Sequence, residues 1–139
     1  FNYFIELSHL TSVLTDAIQA SGLPPLGILL LIIVFYLVLG CFMDSLSMVL
    51  LTVVPLYQLA TGIGFDGIWF GILVVTVAEI GLITPPLGMN LFVIRAVSPE
   101  LKVTDIYFGA LPFLVAPLLL IALMIVWPQM VLWLPSLIE

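Results

Sequence analysis

The stretch Ala78-Glu79-Ile80-Gly81-Leu82-Ile83-Thr84-Pro85-Pro86-Leu87-Gly88-Met89-Asn90 decides how this chain is built. It lies inside Ile68 to Ile94, an apolar segment of transmembrane length, and interrupts it near the middle. Proline removes an amide donor, and its ring clashes with the preceding turn. Pro85 and Pro86 beside Gly88 therefore predict local unwinding. Unwound backbone at membrane depth is tolerated only when packed in protein or lining a cavity. Thr84-Pro85-Pro86 reads either as a kink or as a binding-site unwinding; Gly81, Gly88 and Asn90 around it favour the second. Glu79 sits on the same segment. A charged side chain at the centre of a span costs about 2.5–3.5 kcal/mol on insertion scales, so this carboxylate should face protein or water. It reads as a proton or cation ligand, or as a hydrogen-bonded structural acid.

The composition sets the solvent. Hydrophobic residues make up 64% of the 139 and charged residues only 7%, against about one quarter charged in soluble domains. Such a chain cannot coat a water-facing surface, so lipid and other membrane helices are its surroundings. The chain opens on apolar Phe1 without a basic region or a cleavage site, and reads as a piece of a longer polypeptide rather than a signal peptide. The formal net charge of −6 is spread over single acids. The two bases, Arg95 and Lys102, fall in one connection, which the positive-inside rule places in the cytoplasm. Asp16, Asp66 and Glu139 then fall at the outer face. Cys41 alone excludes an intrachain disulfide and reads as a small buried hydrophobe.

Working outward, five regions follow. Residues 1–25 read as the end of a preceding helix plus an interfacial connection, with His9 as a solvated or interfacial residue, closed by Pro24 and Pro25. Residues 26–61 hold two short apolar runs, Leu26 to Met43 and Leu46 to Ala60, joined at Asp44 with no room for an aqueous loop. This pattern predicts a re-entrant hairpin. Asp44 reads as a cation-site carboxylate or as the cap of the second arm. Residues 62–94 begin with a Gly-rich turn in which Asp66 is a candidate cap, and continue as the broken transmembrane helix. Residues 95–105 are the cytoplasmic connection, where Ser98 and Pro99 read as N-cap and first helical residue. Residues 106–139 are the last transmembrane helix, with Trp127 and Trp133 as interfacial aromatics.

The expected fold is thus all-α and integral to the membrane. Broken helices expose carbonyls able to coordinate Na⁺ and amides able to hold a carboxylate. The two interruptions, Gly40 to Ser47 and Gly81 to Asn90, carry short polar side chains suited to both tasks. Enzyme chemistry finds no support: there is no His/Cys cluster for zinc, no glycine-rich Lys-Ser/Thr loop for a nucleotide and no base for a serine nucleophile. Nor is there a basic patch for nucleic acid.

Leu39-Gly40-Cys41-Phe42-Met43-Asp44, Pro55, Gly64-Phe65-Asp66, Trp69-Phe70-Gly71 and the run Ala78 to Val93 together resemble the large subunit of tripartite ATP-independent periplasmic (TRAP) transporters. Pro112-Phe113, Trp127-Pro128 and Leu134-Pro135 fit that family's last helix; Leu87 and Cys41 stand where Val and Met are common. The resemblance implies a multi-pass protein of the bacterial inner membrane. It would be a sodium-driven importer with an elevator-type transport domain, working with the rest of the large subunit, a small membrane (Q) subunit and a periplasmic substrate-binding (P) protein. It makes Leu26 to Ala60 the second re-entrant hairpin, with Gly40 to Ser45 as its tip. Gly81 to Asn90 becomes the unwound helix beside a Na⁺ site. Na⁺ is then expected at Gly40, Met43, Asp44, Gly81, Thr84 and Gly88, and substrate at Ser45, Ser47, Pro85, Pro86 and Asn90. The implied substrate is a small organic acid: a C4-dicarboxylate, sialic acid or a similar carboxylate. An ion or proton channel would also use Glu79 and a broken helix, and a structural scaffold would carry the breaks as kinks. Divalent-anion sodium symporters share a Thr-Pro-Pro-like break, but the flanking Gly and Leu-Phe pattern fits TRAP better.

Overall fold

The computed structural model describes residues 22–84 and 88–137, together with Asp16 and Ala20. His9 and most of the first region lie outside the described residues, as do Pro85, Pro86 and Leu87. The described elements are helical throughout: α1 (Pro25–Phe42), α2 (Ser45–Gly62), α3 (Gly67–Ile83), α4 (Met89–Val97), α5 (Val103–Val126), α6 (Gln129–Leu132) and a 3₁₀ turn, Pro135–Leu137. Among them α1, α2 and α5 are long and apolar enough to cross a membrane, and α3 is a slightly shorter apolar helix. This is a membrane protein.

Each boundary has a local cause. α1 starts where Pro25 occupies its first turn, where a missing amide costs nothing. It stops two residues before α2, and Asp44 caps α2 by accepting the Ser47 amide at 2.9 Å. α2 ends in a Schellman turn: the Phe65 amide donates to the Ala60 carbonyl (3.0 Å) and the Gly64 amide to Thr61 (3.1 Å). Gly64 sits at φ +100°, where a side chain would be strained. Asp66 then caps α3 as its sequence position suggests, accepting from the Ile68 and Trp69 amides at 2.8 and 3.0 Å.

The core is organised around α3, which packs against α1, α2, α4, α5 and α6. Trp69, Phe70, Leu73, Val74, Val77 and Ile80 of α3 are buried against Leu29, Ile32 and Tyr36 of α1 and Met48 of α2. α1 and α3 run in the same direction: Leu26 and Leu29 share a cavity with Phe65 and Trp69 at one end, and Gly40 meets Gly81 at the other. α2 runs the opposite way, with Leu46 beside Val75 and Glu79 and Tyr57 pressed against Gly67. One polar bridge ties the two arms. Thr52 Oγ1 donates to its own turn at Met48 (2.7 Å) and lies 2.8 Å from the buried Tyr36 hydroxyl, whose proton completes the pair.

α5 returns antiparallel to α3 and is anchored by a repaired backbone vacancy. Pro128 has no amide to offer the Met124 carbonyl one turn earlier. The Trp69 indole Nε1 donates to that carbonyl instead, at 3.0 Å in a buried setting, while its ring stacks on Phe65 with centroids 5.3 Å apart. The connection between α4 and α5 differs from the sequence expectation. Ser98 does not start a helix: its amide donates to Ile94 at 2.9 Å and closes α4. Its carbonyl then accepts from Leu101 at 3.2 Å to form a turn. Lys102 precedes α5, so Asp105 lies inside that helix's first turn and Arg95 inside the last turn of α4.

Trp69→Phe keeps the ring stack but leaves the Met124 carbonyl buried without a donor. It should lower stability by about 1 kcal/mol, read as a reduced Tm of the purified full-length subunit, whereas Trp127→Phe should leave Tm near wild type.

Candidate functional site: two converging helix interruptions

The two interruptions read from the sequence lie against each other. Gly40, in the last turn of α1, faces Gly81, in the last turn of α3, with backbone on backbone. A Cβ on Gly40 would fall 2.9 Å from the Gly81 Cα, and one on Gly81 would fall 2.7 Å from the Gly40 Cα. No side chain fits between them. Half a turn further on, the Cys41 thiol points at the Thr84 carbonyl, Sγ to O 3.8 Å. Both helices therefore end at one place, and the ends of helices carry partial negative charge on their last carbonyls.

The α3 end is rebuilt by its own polar groups. Pro85 and Pro86 have no amides for the Gly81 and Leu82 carbonyls. The Thr84 amide turns back to Gly81 at 3.3 Å, and the Thr84 hydroxyl donates to the Ile80 carbonyl at 2.6 Å. The Gly88 amide donates to the Thr84 carbonyl at 3.1 Å, closing a loop over the break. A Cβ on Gly88 would meet the Leu82 carbonyl oxygen at 2.6 Å and the Thr84 oxygen at 3.0 Å. Only glycine allows the chain to fold this closely over its own carbonyls. α4 begins at the next residue, with Asn90 exposed in its first turn.

The structure places the remaining expected residues as follows. Met43 packs partly buried against the core, its amide bonded to Leu39 at 2.9 Å. Asp44 is exposed, and its carboxylate is engaged as the α2 cap by the Ser47 amide. Ser45 opens a groove of about 210 Å³ between α2 and α3 that Glu79 also lines. Glu79 is exposed there, and among the described residues no hydrogen bond or ion pair reaches its carboxylate. Pro85 and Pro86 lie outside the described residues. Gly40, Gly81, Thr84 and Gly88 are thus brought together around the break, while Asp44, Ser45 and Ser47 sit at the head of α2. Among the described residues no group of three His, Cys, Asp or Glu side chains gathers as a metal cage. Sequence reasoning missed the Cys41 contact with Thr84, because a lone cysteine in an apolar run carries no signal of a partner 43 positions away.

A close-packed pair of apolar helices that end side by side, within a wholly helical set of described elements, defines an all-helical membrane protein. The family model of the tripartite ATP-independent periplasmic transporter DctM component matches residues 1–130, and the chain belongs to that family. It is 36% identical over 137 residues to the sialic acid TRAP transporter large permease protein SiaM of Vibrio cholerae, covering 99% of this chain and 32% of that protein. It is 30% identical over 130 residues to the C4-dicarboxylate TRAP transporter large permease protein DctM of the same species, covering 94% of this chain and 28% of that one. The sialic acid TRAP transporter permease protein SiaT of Haemophilus influenzae is 31% identical over 138 residues, 22% of its length. The chain thus spans about a third or less of the curated relatives it matches.

Gly40→Ala and Gly81→Ala each force the two backbones apart, and overpacking of this kind costs about 1–3 kcal/mol. Both should lower the Tm of the full-length subunit, and the double variant should lose less than the sum, because the first methyl has already opened the contact. Gly71→Ala, which lies within α3 and meets open space, should leave Tm unchanged or raise it, because alanine is the better helix former.

Proposed function

We propose that this chain forms part of the large subunit of a sodium-coupled TRAP importer of a small organic acid in the bacterial inner membrane. The observation that carries the proposal is the meeting of the two interruptions at Gly40 and Gly81. The ends of α1 and α3 converge there, so their terminal carbonyls face one small region. Carbonyl dipoles without i+4 donors suit a hard, desolvated monovalent cation. Thr84, whose carbonyl and hydroxyl both lie at this point, is the side chain best placed to join Gly40, Gly81 and Gly88 in the Na⁺ site. Met43 and Asp44 stand in the connection beside it.

The substrate carboxylate would use the opposite polarity. α2 and α4 both begin at the interruptions, and helix N-termini favour anions. The α2 terminus already holds the Asp44 carboxylate. The start of α4, with Gly88 and Asn90, is therefore the better anion seat, with Ser45 and Ser47 at the neighbouring tip. This also supports a division of labour in which Asp44 orders the tip rather than binding the ion.

Register supports a re-entrant hairpin. α1 and α2 have 18 residues each, roughly 27 Å at 1.5 Å per residue. α5 has 24 residues, roughly 36 Å. The tip lies level with the break in α3, and α4 and the start of α5 continue beyond it, sharing a cavity lined by Ile83, Leu91, Ile94 and Asp105. Because α1, α2 and α3 share one core, the hairpin and the break would travel together as an elevator-type body. The relatives' names, which include sialic acid and C4-dicarboxylate permeases, support an organic acid as cargo, delivered by a periplasmic binding protein to a complex that includes a small membrane subunit.

The test is uptake of radiolabelled sialic acid and of succinate by the full-length subunit in proteoliposomes with its partner subunits and binding protein. Sodium titration of wild type and Thr84→Ala should show a several-fold rise in the Na⁺ concentration for half-maximal uptake in the variant, with intact folding. Asp44→Asn should keep most of its Na⁺ response, because an amide oxygen still caps α2. Uptake independent of Na⁺ in wild type, or an unchanged Na⁺ response in Thr84→Ala, would sink the assignment.

A further inference from the structure

Glu79 sets one exposed face of this chain apart from the others. α3 is the most enclosed element of the fold, yet Ile68, Ile72, Val75 and Glu79 form one exposed stripe along it, at spacings of a helical face. A parallel stripe on α2, Leu46, Leu50 and Tyr57, is exposed beside it. The two stripes are continuous, since Leu46 and Val49 share the groove with Val75 and Glu79, and Tyr57 abuts the start of α3 at Gly67. An apolar face alone would suit lipid. The exposed faces of α1 and of α5 beyond its first turn carry no Asp, Glu, Lys, Arg or His and have that character. The α2–α3 face differs by one carboxylate. Glu79 lies 12 residues beyond the start of α3, about 18 Å along the helix, and one turn before its end at Ile83. Lipid offers it no hydrogen-bond donor. The chain's two bases stand beyond the break, Arg95 in the last turn of α4 and Lys102 before α5.

We propose that a helix from the part of the large subunit outside this chain seats on the α2–α3 face and brings a cationic or amide donor to Glu79. The relatives supply the length for it, since SiaM is covered by this chain over only 32% of its sequence. The facing stripe of that helix should be apolar opposite Leu50, Val75 and Ile72 and carry its donor opposite Glu79. The inference rests on family membership and goes beyond the sodium reading, because neither Glu79 nor this face takes part in the proposed ion site.

The test uses full-length subunit in nanodiscs, in a Cys41→Ser background, with a nitroxide label at Val75→Cys or Leu50→Cys and, as the lipid-facing control, Phe108→Cys on α5. Power saturation reports access to oxygen, which concentrates in lipid, and to a water-soluble nickel chelate. Labels at Val75 and Leu50 should show several-fold lower oxygen access than at Phe108, and little access to nickel. Oxygen access equal to the control would overturn the proposal in favour of lipid, and strong nickel access would overturn it in favour of an aqueous cleft. Short label-to-label distances between copies would overturn it in favour of a second copy as occupant. Glu79→Leu supplies an independent sign: it should lower Tm when a donor faces Glu79, with Glu79→Gln falling less, whereas a rise in Tm would mean that the carboxylate faces lipid. Loss of sodium coupling in the uptake assay leaves these readouts unmoved, so the two ideas fail separately.

Discussion

Everything near the site depends on two glycines in contact. In water, helices are drawn together by burying apolar area; in lipid that drive is absent, and close association depends on packing and on small residues that let backbones approach. Gly40 and Gly81 have that role, each leaving less than 3 Å for a Cβ. Glycine inside a helix costs about 1 kcal/mol relative to alanine, so the pair trades helix propensity for proximity. The return is alignment. Because α1 and α3 each stop two residues after their glycine, the contact sets their ends side by side, and the thiol of Cys41 lies within reach of the Thr84 carbonyl.

The prolines show how differently the two ends of the fold are treated. At Pro128 a single missing amide is answered in full by the Trp69 indole, and the result is a closed, buried joint between α3 and α5. At Pro85 and Pro86 the answer is partial. Thr84 supplies one amide and one hydroxyl to the turn before it, and Gly88 supplies an amide to Thr84. The Leu82 carbonyl has no i+4 amide in Pro86, and it crowds the one residue that can tolerate it, Gly88. The first end closes its vacancy with one side chain from another helix, whereas the second is rebuilt from its own residues on either side of the break.

Much of this was legible in the chain because the signals were local. Asp66 ahead of an apolar run reads as a cap and is one; Gly64 reads as a turn and closes α2; the Pro-Pro-Gly run reads as an interruption, and α3 and α4 stand on either side of it. Ser98-Pro99 misled for a physical reason. The same pair suits the start of a helix and the exit from one, and the Ile94 carbonyl needed the Ser98 amide to finish α4. What the chain could not display was pairing at a distance. Gly40 and Gly81 each read as a backbone interruption, but nothing in periodicity says that one touches the other. The indole of Trp69 likewise reads as an ordinary apolar anchor until Pro128 is found 59 positions later beside it.

The two acids near the site illustrate why side-chain type alone does not settle a role. Asp44 and Glu79 are both carboxylates close to the hairpin tip, and both are exposed within this chain. Asp44 has backbone donors at hand, because the start of α2 presents amides that need an acceptor, and it is held there at 2.9 Å. Its charge is matched by the helix dipole and fixed in place. Glu79 projects from the last third of α3, beyond the four free amides of the helix start, so its own element offers it no backbone donor. Of the two, only Glu79 needs a partner from elsewhere. The acid at the tip thus has a carboxylate oxygen engaged within the described fold, while the acid on α3 lines an open groove with no hydrogen bond to it among the described residues.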